Sequence, residues 1–208
     1  MSPRDSAPTR AGILSAAGEL LESGGPDAVT LRAVGDAAGV SRSAPYRHFS
    51  DKAALLMALA ERALTQMAEQ VRKEAARSGG SAQSGGTVAR LRAGCRAYLT
   101  YAMTHPHHYQ LIFGDAPISQ PTPQLEAAAD DAMNAVEELV GQAQNSGVLG
   151  PAPTRELATV LWVLLHGLAA LQITGHLHEP RTVDGAEYLD DLLDLALAQL
   201  RGGTAPGQ

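Results

Sequence analysis

The stretch from Thr30 to Leu56, TLRAVGDAAGVSRSAPYRHFSDKAALL, constrains this chain more than any other. Thr30 stands where a helix N-cap belongs, ahead of Leu31, Val34, Ala37 and Ala38 at helical spacing. Gly39 stops that helix after about two turns and supplies a corner residue that tolerates positive φ. Val40 follows as an apolar plug. Ser41 is placed to cap a second short helix reaching about His48. Ser50 or Asp51 can cap a long helix reaching about Arg77. Two short helices joined by a tight corner are a helix-turn-helix. Leu31, Val34 and Ala38 are expected to pack the first helix on Phe49 and on the N-terminal helix, and small Ala37, Ala38 and Ala44 allow close approach.

The second helix then exposes Arg42, Ser43, Tyr46, Arg47 and His48, all able to donate hydrogen bonds to phosphates or base edges. A short helix with such a face fits a major groove about 12 Å wide. Lys52 opens the following helix, where its ammonium and the free backbone N–H groups can meet one phosphate. Pro45 falls in a first turn, where its missing N–H costs at most about one helical bond.

GVSRSAPYRHFSDKAALL closely resembles the recognition segment of the TetR family, and the preceding GGPDAVTLRAV fits the same pattern. The likeness spans about residues 9–60. It implies that Thr30, Tyr46, His48 and Lys52 contact phosphates and that Arg42, Ser43 and Ala44 face bases. Gly35 departs from the family pattern, because a longer residue is common there. Inside a helix it costs about 0.5–1 kcal/mol relative to alanine.

Elsewhere the periodicity is helical throughout, and the chain is read as all α. Residues 1–8 are expected to form a frayed arm. A first helix covers Thr9–Ser23, ended by Gly24-Gly25-Pro26. Residues 78–87, SGGSAQSGGT, have flexible-linker composition. Further helices are expected at Val88–Thr104, His107–Phe113, Leu125–Asn145, Thr154–Leu177 and Glu187–Arg201, with DAPISQPTPQ as a loop. The domains expected are a three-helix helix-turn-helix over 9–53 and a helical effector-binding and dimerisation domain over 54–201, with 202–208 a tail.

A net charge of −6 looks wrong for a nucleic-acid partner, but it is unevenly spread. Residues 1–100 carry +4 and residues 101–208 carry −10. That split suits a phosphate-facing half and an acidic half. Cys95 is the lone cysteine and no apolar block opens the chain, so a cytoplasmic protein is expected. Leu157–Leu177 lacks charge and must be weighed as a membrane span, but His166, Gln172, two threonines and two glycines favour a buried core or interface helix. No membrane partner is expected. Nor is catalysis expected, for want of a nucleophile with a placed base, a phosphate loop or a perturbed carboxylate pair. No cofactor is implied.

The second half offers Tyr98, Tyr101 and His105 near helical spacing, then His107, His108, Tyr109 and Phe113. Trp162 and His166 are four apart and share a helix face. These suit either a packed core or a pocket for a small, mostly apolar ligand lined by Tyr98, Tyr101, His105, Phe113, Trp162 and His166. HPHHYQLIFG with WVLLHGLA resembles the TetR C-terminal subgroup named for Trp, His and Gly, here Trp162, His166 and Gly167. No metal site is expected. His-Pro-His-His is not a standard ligand spacing, and His176 and His178 would point to different faces of a helix. The resemblance implies a homodimer through about 154–177 and 187–201, an operator of double-stranded DNA, and a small effector that releases a repressor from it.

Overall fold

The computed structural model describes residues 6–79, 84–114, 121–177 and 185–202. Eight helices occupy these residues: α1 (Ser6–Ala28), α2 (Leu31–Ala37), α3 (Lys52–Ser78), α4 (Ser84–Thr104), α5 (Pro106–Phe113), α6 (Pro123–Asn145), α7 (Thr154–Ile173) and α8 (Gly185–Gly202). There is no strand among them, so the chain is all α as expected. Parts of the expected arm (1–5), linker (80–83), loop (115–120) and tail (203–208), together with His178, lie outside the described residues.

The chain packs as two compact units. The first spans Met1–Leu64 and His105–Ala129, and the second Thr65–Thr104 and Asp130–Gln208. The boundary read from sequence, between 53 and 54, has no counterpart here, because the start of α3 and all of α5 belong to the first unit.

In the first unit α1 breaks at Gly25, whose φ of 66° and ψ of −171° are not helical. Ile13, Ala17 and Leu21 of α1 are fully buried with Val29, Val34, Leu55 and Leu59. The Thr30 side chain accepts a hydrogen bond from the Ala33 N–H at 3.1 Å, which makes it the N-cap of α2. Gly39, at φ 66°, turns the corner, and the Val40 N–H donates to the Gly35 carbonyl at 3.1 Å to close it.

The expected helix from Ser41 to His48 is corrected to a series of turns with one 3-10 turn, Pro45–Arg47. The cause is Pro45, which has no N–H to give the Ser41 carbonyl. Bonds three residues long replace the helical ones: Ala44 N–H to Ser41 O, Arg47 N–H to Ala44 O and His48 N–H to Pro45 O, at 2.9–3.1 Å. Pro45 is buried against Gly35, where an added Cβ would lie 3.3 Å from the Pro45 Cγ. The departure at Gly35 therefore makes room for the proline ring. Asp51, rather than Ser50, caps α3, its Oδ1 accepting from the Ala54 N–H at 2.8 Å.

In the second unit α4 packs against α7 and α8. Leu91, Cys95, Tyr98 and Leu99 of α4 are buried, as are Ala158, Leu161, Leu165 and Ala169 of α7 and Leu189, Leu193 and Leu197 of α8. The recurrence at three and four residues is the pattern of one apolar stripe per helix. Burial pushes the Cys95 thiol up to about 12. Arg72 of α3 clamps α6 through Asp131 (2.9 Å) and Glu138 (3.0 Å), and its hydrogen bonds hold the Asp131 carboxyl below the usual carboxylate range. Arg92 and Arg96 of α4 reach Asp194 and Asp190 of α8 at 2.8 Å.

Several boundaries differ from the sequence reading: α1 runs Ser6–Ala28 rather than Thr9–Ser23, continuing past Gly24 with a kink at Gly25, and two more differ in the second unit. α4 begins at Ser84, not Val88, although Gly85 and Gly86 are poor helix formers. Thr87 and Leu91 are buried one turn apart, and that packing outweighs propensity. α7 ends at Ile173, not Leu177, where the N–H groups of His176 and Leu177 both turn back to the Leu171 carbonyl.

Candidate nucleic-acid interface

The seven residues expected to meet DNA all lie in the first unit. Thr30, Arg42, Ser43 and Tyr46 are exposed, and Ala44, His48 and Lys52 are half-buried. The segment 41–48 gathers five of them around one turn, with Thr30 at the head of α2 and Lys52 opening α3. Tyr46 is 59% exposed, which is unusual for a large aromatic and leaves its ring and hydroxyl free for a partner. The scaffold below is apolar: Leu31, Val34, Pro45 and Phe49 are buried. Arg10 of α1 lies over the Phe49 ring at 5.2 Å and adds a cation–π contact behind the turn.

Charge favours a polyanion here. Arg32, Arg42, Arg47 and Lys52 outnumber Asp36 and Asp51, and Asp51 is spent on its cap. Arg42 sits 3.8 Å from Asp36, both well exposed, and so loose a surface pair holds the guanidinium weakly. The Ser41 and Ser43 hydroxyls are 3.3 Å apart.

The six residues expected to line an effector pocket divide between the units. Tyr98 and Tyr101 on α4, with Trp162 and His166 on α7, belong to the second unit, where those two helices pack together. Both tyrosines are buried. The Trp162 and His166 rings stack with centroids 5.5 Å apart, and burial lowers the His166 pKa from its ordinary value. His105 and Phe113 belong to the first unit instead. Phe113 packs on Tyr109, with centroids 4.9 Å apart. An open groove of about 620 Å³ also runs along α4 between Arg92, Arg96 and Thr100 and the Gln70–Ser78 end of α3. Sequence reasoning did not find that groove, because its lining comes from two helices with no shared motif.

Sequence reasoning also missed Glu22. Its carboxylate, on α1, stands 2.8 Å from the His108 Nδ1 and 3.7 Å from the His105 Nδ1 on α5. His108 is buried, and burial lowers its pKa even though Glu22 opposes the change. Glu22 and His108 are 86 residues apart in the chain, so only the packing of α1 on α5 reveals the pair.

Comparison with known proteins agrees with this geometry. Residues 13–59 match the family model for bacterial regulatory proteins of the tetR family, which covers α1, the corner, the exposed turn and the start of α3. Residues 91–196 match the model for the tetracyclin repressor-like C-terminal domain. The chain is 29% identical over 142 residues to the HTH-type transcriptional activator FasR of Mycolicibacterium smegmatis. That alignment covers 67% of this chain and 61% of the activator's own length. A solved protein of unknown function from Rhodococcus sp. RHA1 superposes with a TM-score of 0.78 at 28% identity, over 99% of this chain and 100% of that one. A TetR-family transcriptional regulator from Pectobacterium atrosepticum shares the fold, with a TM-score of 0.71 at 21% identity over the whole of both chains. One family model fits the exposed basic turn and its scaffold and another fits the helical bundle, over half the chain, so the chain belongs to the TetR family of bacterial regulatory proteins.

Proposed function

We propose that the chain is a dimeric transcriptional regulator that binds an operator through the Ser41–Lys52 segment and loosens its grip when a small ligand enters the second unit. The observation that carries this is the exposed set Arg42, Ser43, Tyr46 and Arg47 on a buried apolar scaffold, with Lys52 at the head of α3. Thr30, Tyr46, His48 and Lys52 hold phosphates and fix register. Arg42, Ser43 and Ala44 face bases.

Dimerisation is supported by apolar surface. Val160 and Val163 of α7 are 55% and 56% exposed, and Leu195 of α8 is 58% exposed. α7 is also long and apolar enough to cross a membrane. Pairing of α7 and α8 with their copies covers the same surface in a C2 dimer, which presents two recognition turns about 34–36 Å apart. The effector is a small, mostly apolar molecule held near α4 and α7, with Tyr98, Tyr101, Trp162 and His166 as its contacts. A coupling of about 1–3 kcal/mol weakens the operator complex about 5–150-fold. Repression relieved by ligand is the mode proposed, although the relative named above is an activator.

Fluorescence anisotropy with DNA from the chain's own promoter region, across a salt series, tests the reading. Selective binding that weakens steeply with salt is expected. Tyr46→Ala and Lys52→Ala should weaken binding to every sequence, and Arg42→Ala should change the sequence preferred. Equal affinity of all three variants for the operator, or a monomer in sedimentation at micromolar concentration, overturns the proposal.

A further inference from the structure

The sequence gives no standard metal spacing around His105-Pro106-His107-His108, but the fold supplies a third donor from elsewhere. His105 stands at the N-cap position of α5, yet its side chain makes no capping hydrogen bond. Its Nδ1 turns toward α1, 3.7 Å from the Glu22 carboxylate. His108, one turn along α5, brings its own Nδ1 to 2.8 Å from the same Oε2 atom. The two imidazoles meet edge to face, with centroids 5.7 Å apart. One ligand atom from each of the three residues lies within 4.8 Å of the other two. All three belong to the first unit.

We propose that Glu22, His105 and His108 form a binding site for a divalent cation of the zinc class. Imidazole nitrogen and carboxylate oxygen bind zinc at about 2.0–2.2 Å, which sets tetrahedral donor atoms about 3.3–3.5 Å apart. The 2.8 Å separation must open by about 0.5–0.7 Å and the 3.7 Å separation must close by about 0.2–0.4 Å. The side chains asked to adjust are the half-exposed His105 ring and the Glu22 carboxyl. Two imidazoles and one carboxylate leave the fourth position to water, the pattern of an open three-ligand site. Donors of this kind suit zinc and its neighbours better than magnesium or calcium, which take oxygen ligands. The buried Cys95 belongs to the second unit and takes no part.

The surroundings both help and oppose. Gly18, with no side chain, leaves space over α1 for the Arg62 guanidinium, beside the His108 Nε2. Arg62 therefore sets a positive charge against the cation, and Glu22 is the carboxylate that offsets it. His107 takes no part, because its ring rests against Gly25, with Nδ1 3.6 Å from where a Cβ would stand. His105 directly follows Thr104, the last residue of α4, so a bound ion tethers the chain where it passes from the second unit to the first.

The test is calorimetric titration of the untagged full-length protein with zinc chloride at pH 7, after chelator treatment. The expected result is one zinc per chain. Glu22→Gln and His105→Ala should each weaken binding at least about tenfold, since even residues behind the ligands cost 10–100-fold when lost. His107→Ala and His176→Ala should bind as the parent does. Cobalt(II) in place of zinc should give a visible d–d band that His105→Ala abolishes. Circular dichroism confirms that the variants are folded, and because His105 is half exposed its alanine variant keeps the helices. The proposal is overturned if the parent takes up no zinc, if Glu22→Gln and His105→Ala bind as tightly as the parent, or if His107→Ala loses as much as they do.

Discussion

Gly39 and Gly12 make a matched pair in which one substitution has opposite effects. A Cβ added at either would meet nothing within 4 Å, so sterics with neighbours do not enter. Only the backbone differs. Gly39 sits at φ +66°, in the left-handed region, whereas Gly12 lies within α1. Alanine in the left-handed region costs about 1–2 kcal/mol. Restricting the unfolded chain returns about 0.4–1 kcal/mol of that. Gly39→Ala should therefore destabilise by about 1 kcal/mol. Gly12→Ala should stabilise by about 0.5–1 kcal/mol, because alanine is the better helix former. Both positions lie in the first unit and report on the same unfolding transition. Trp162, the one tryptophan, lies in the second unit, so far-UV circular dichroism in urea is the readout rather than fluorescence. In heat, the two variants should separate by about 3–8 °C, at about 2–4 °C per kcal/mol for a chain of this size. Gly39→Asn should fall between them, since asparagine tolerates that conformation. If Gly39→Ala proves as stable as Gly12→Ala, the corner does not hold the left-handed turn and the account of the recognition segment fails.

Three further outcomes follow from the same structure. Thr30→Ala should lower stability by about 1 kcal/mol in urea denaturation, because the Ala33 N–H loses its cap. Leu161→Ala, which empties a 1%-exposed site in the second unit, should cost about 2–5 kcal/mol by the same assay. The Asp131 carboxyl is held low by Arg72. Its contribution is therefore full above the usual carboxylate range and is lost as pH falls through and below it. Asp131→Asn should be less stable than the parent at neutral pH, by under about 1 kcal/mol for so exposed a pair. The gap should close in acid, as stability measured along a pH series would show.

The helix-turn-helix was legible because its signals are local. A threonine cap, a corner glycine and an aspartate cap each act within four residues, and the structure uses Thr30, Gly39 and Asp51 in those roles. The same local reading overestimated the recognition helix, because it placed Pro45 in a tolerant first turn when the missing N–H leaves three-residue bonds at Ala44, Arg47 and His48. Gly35 looked like a defect from one strand of evidence, helix propensity. Its use appears only once Pro45 is packed against it. The start of α4 was misplaced for the converse reason, since burial of Thr87 and Leu91 holds two glycines in a helix they disfavour. Nothing local links Glu22 to His105 and His108, and the groove along α4 has no motif at all. The division of His105 and Phe113 from Tyr98, Tyr101, Trp162 and His166 likewise depends on where α5 packs.

Cys95 turns the second unit into its own clock. The thiol is 1% exposed and its pKa is pushed up to about 12, so in the closed bundle there is almost no thiolate and no path for a reagent to it. Any alkylation then has to wait for α4, α7 and α8 to part, and its rate counts those openings. A ligand that seals the bundle slows the clock, and one that pries the helices apart quickens it. With a single cysteine in the chain, every modified molecule records one such event, with no second site to confuse the reading.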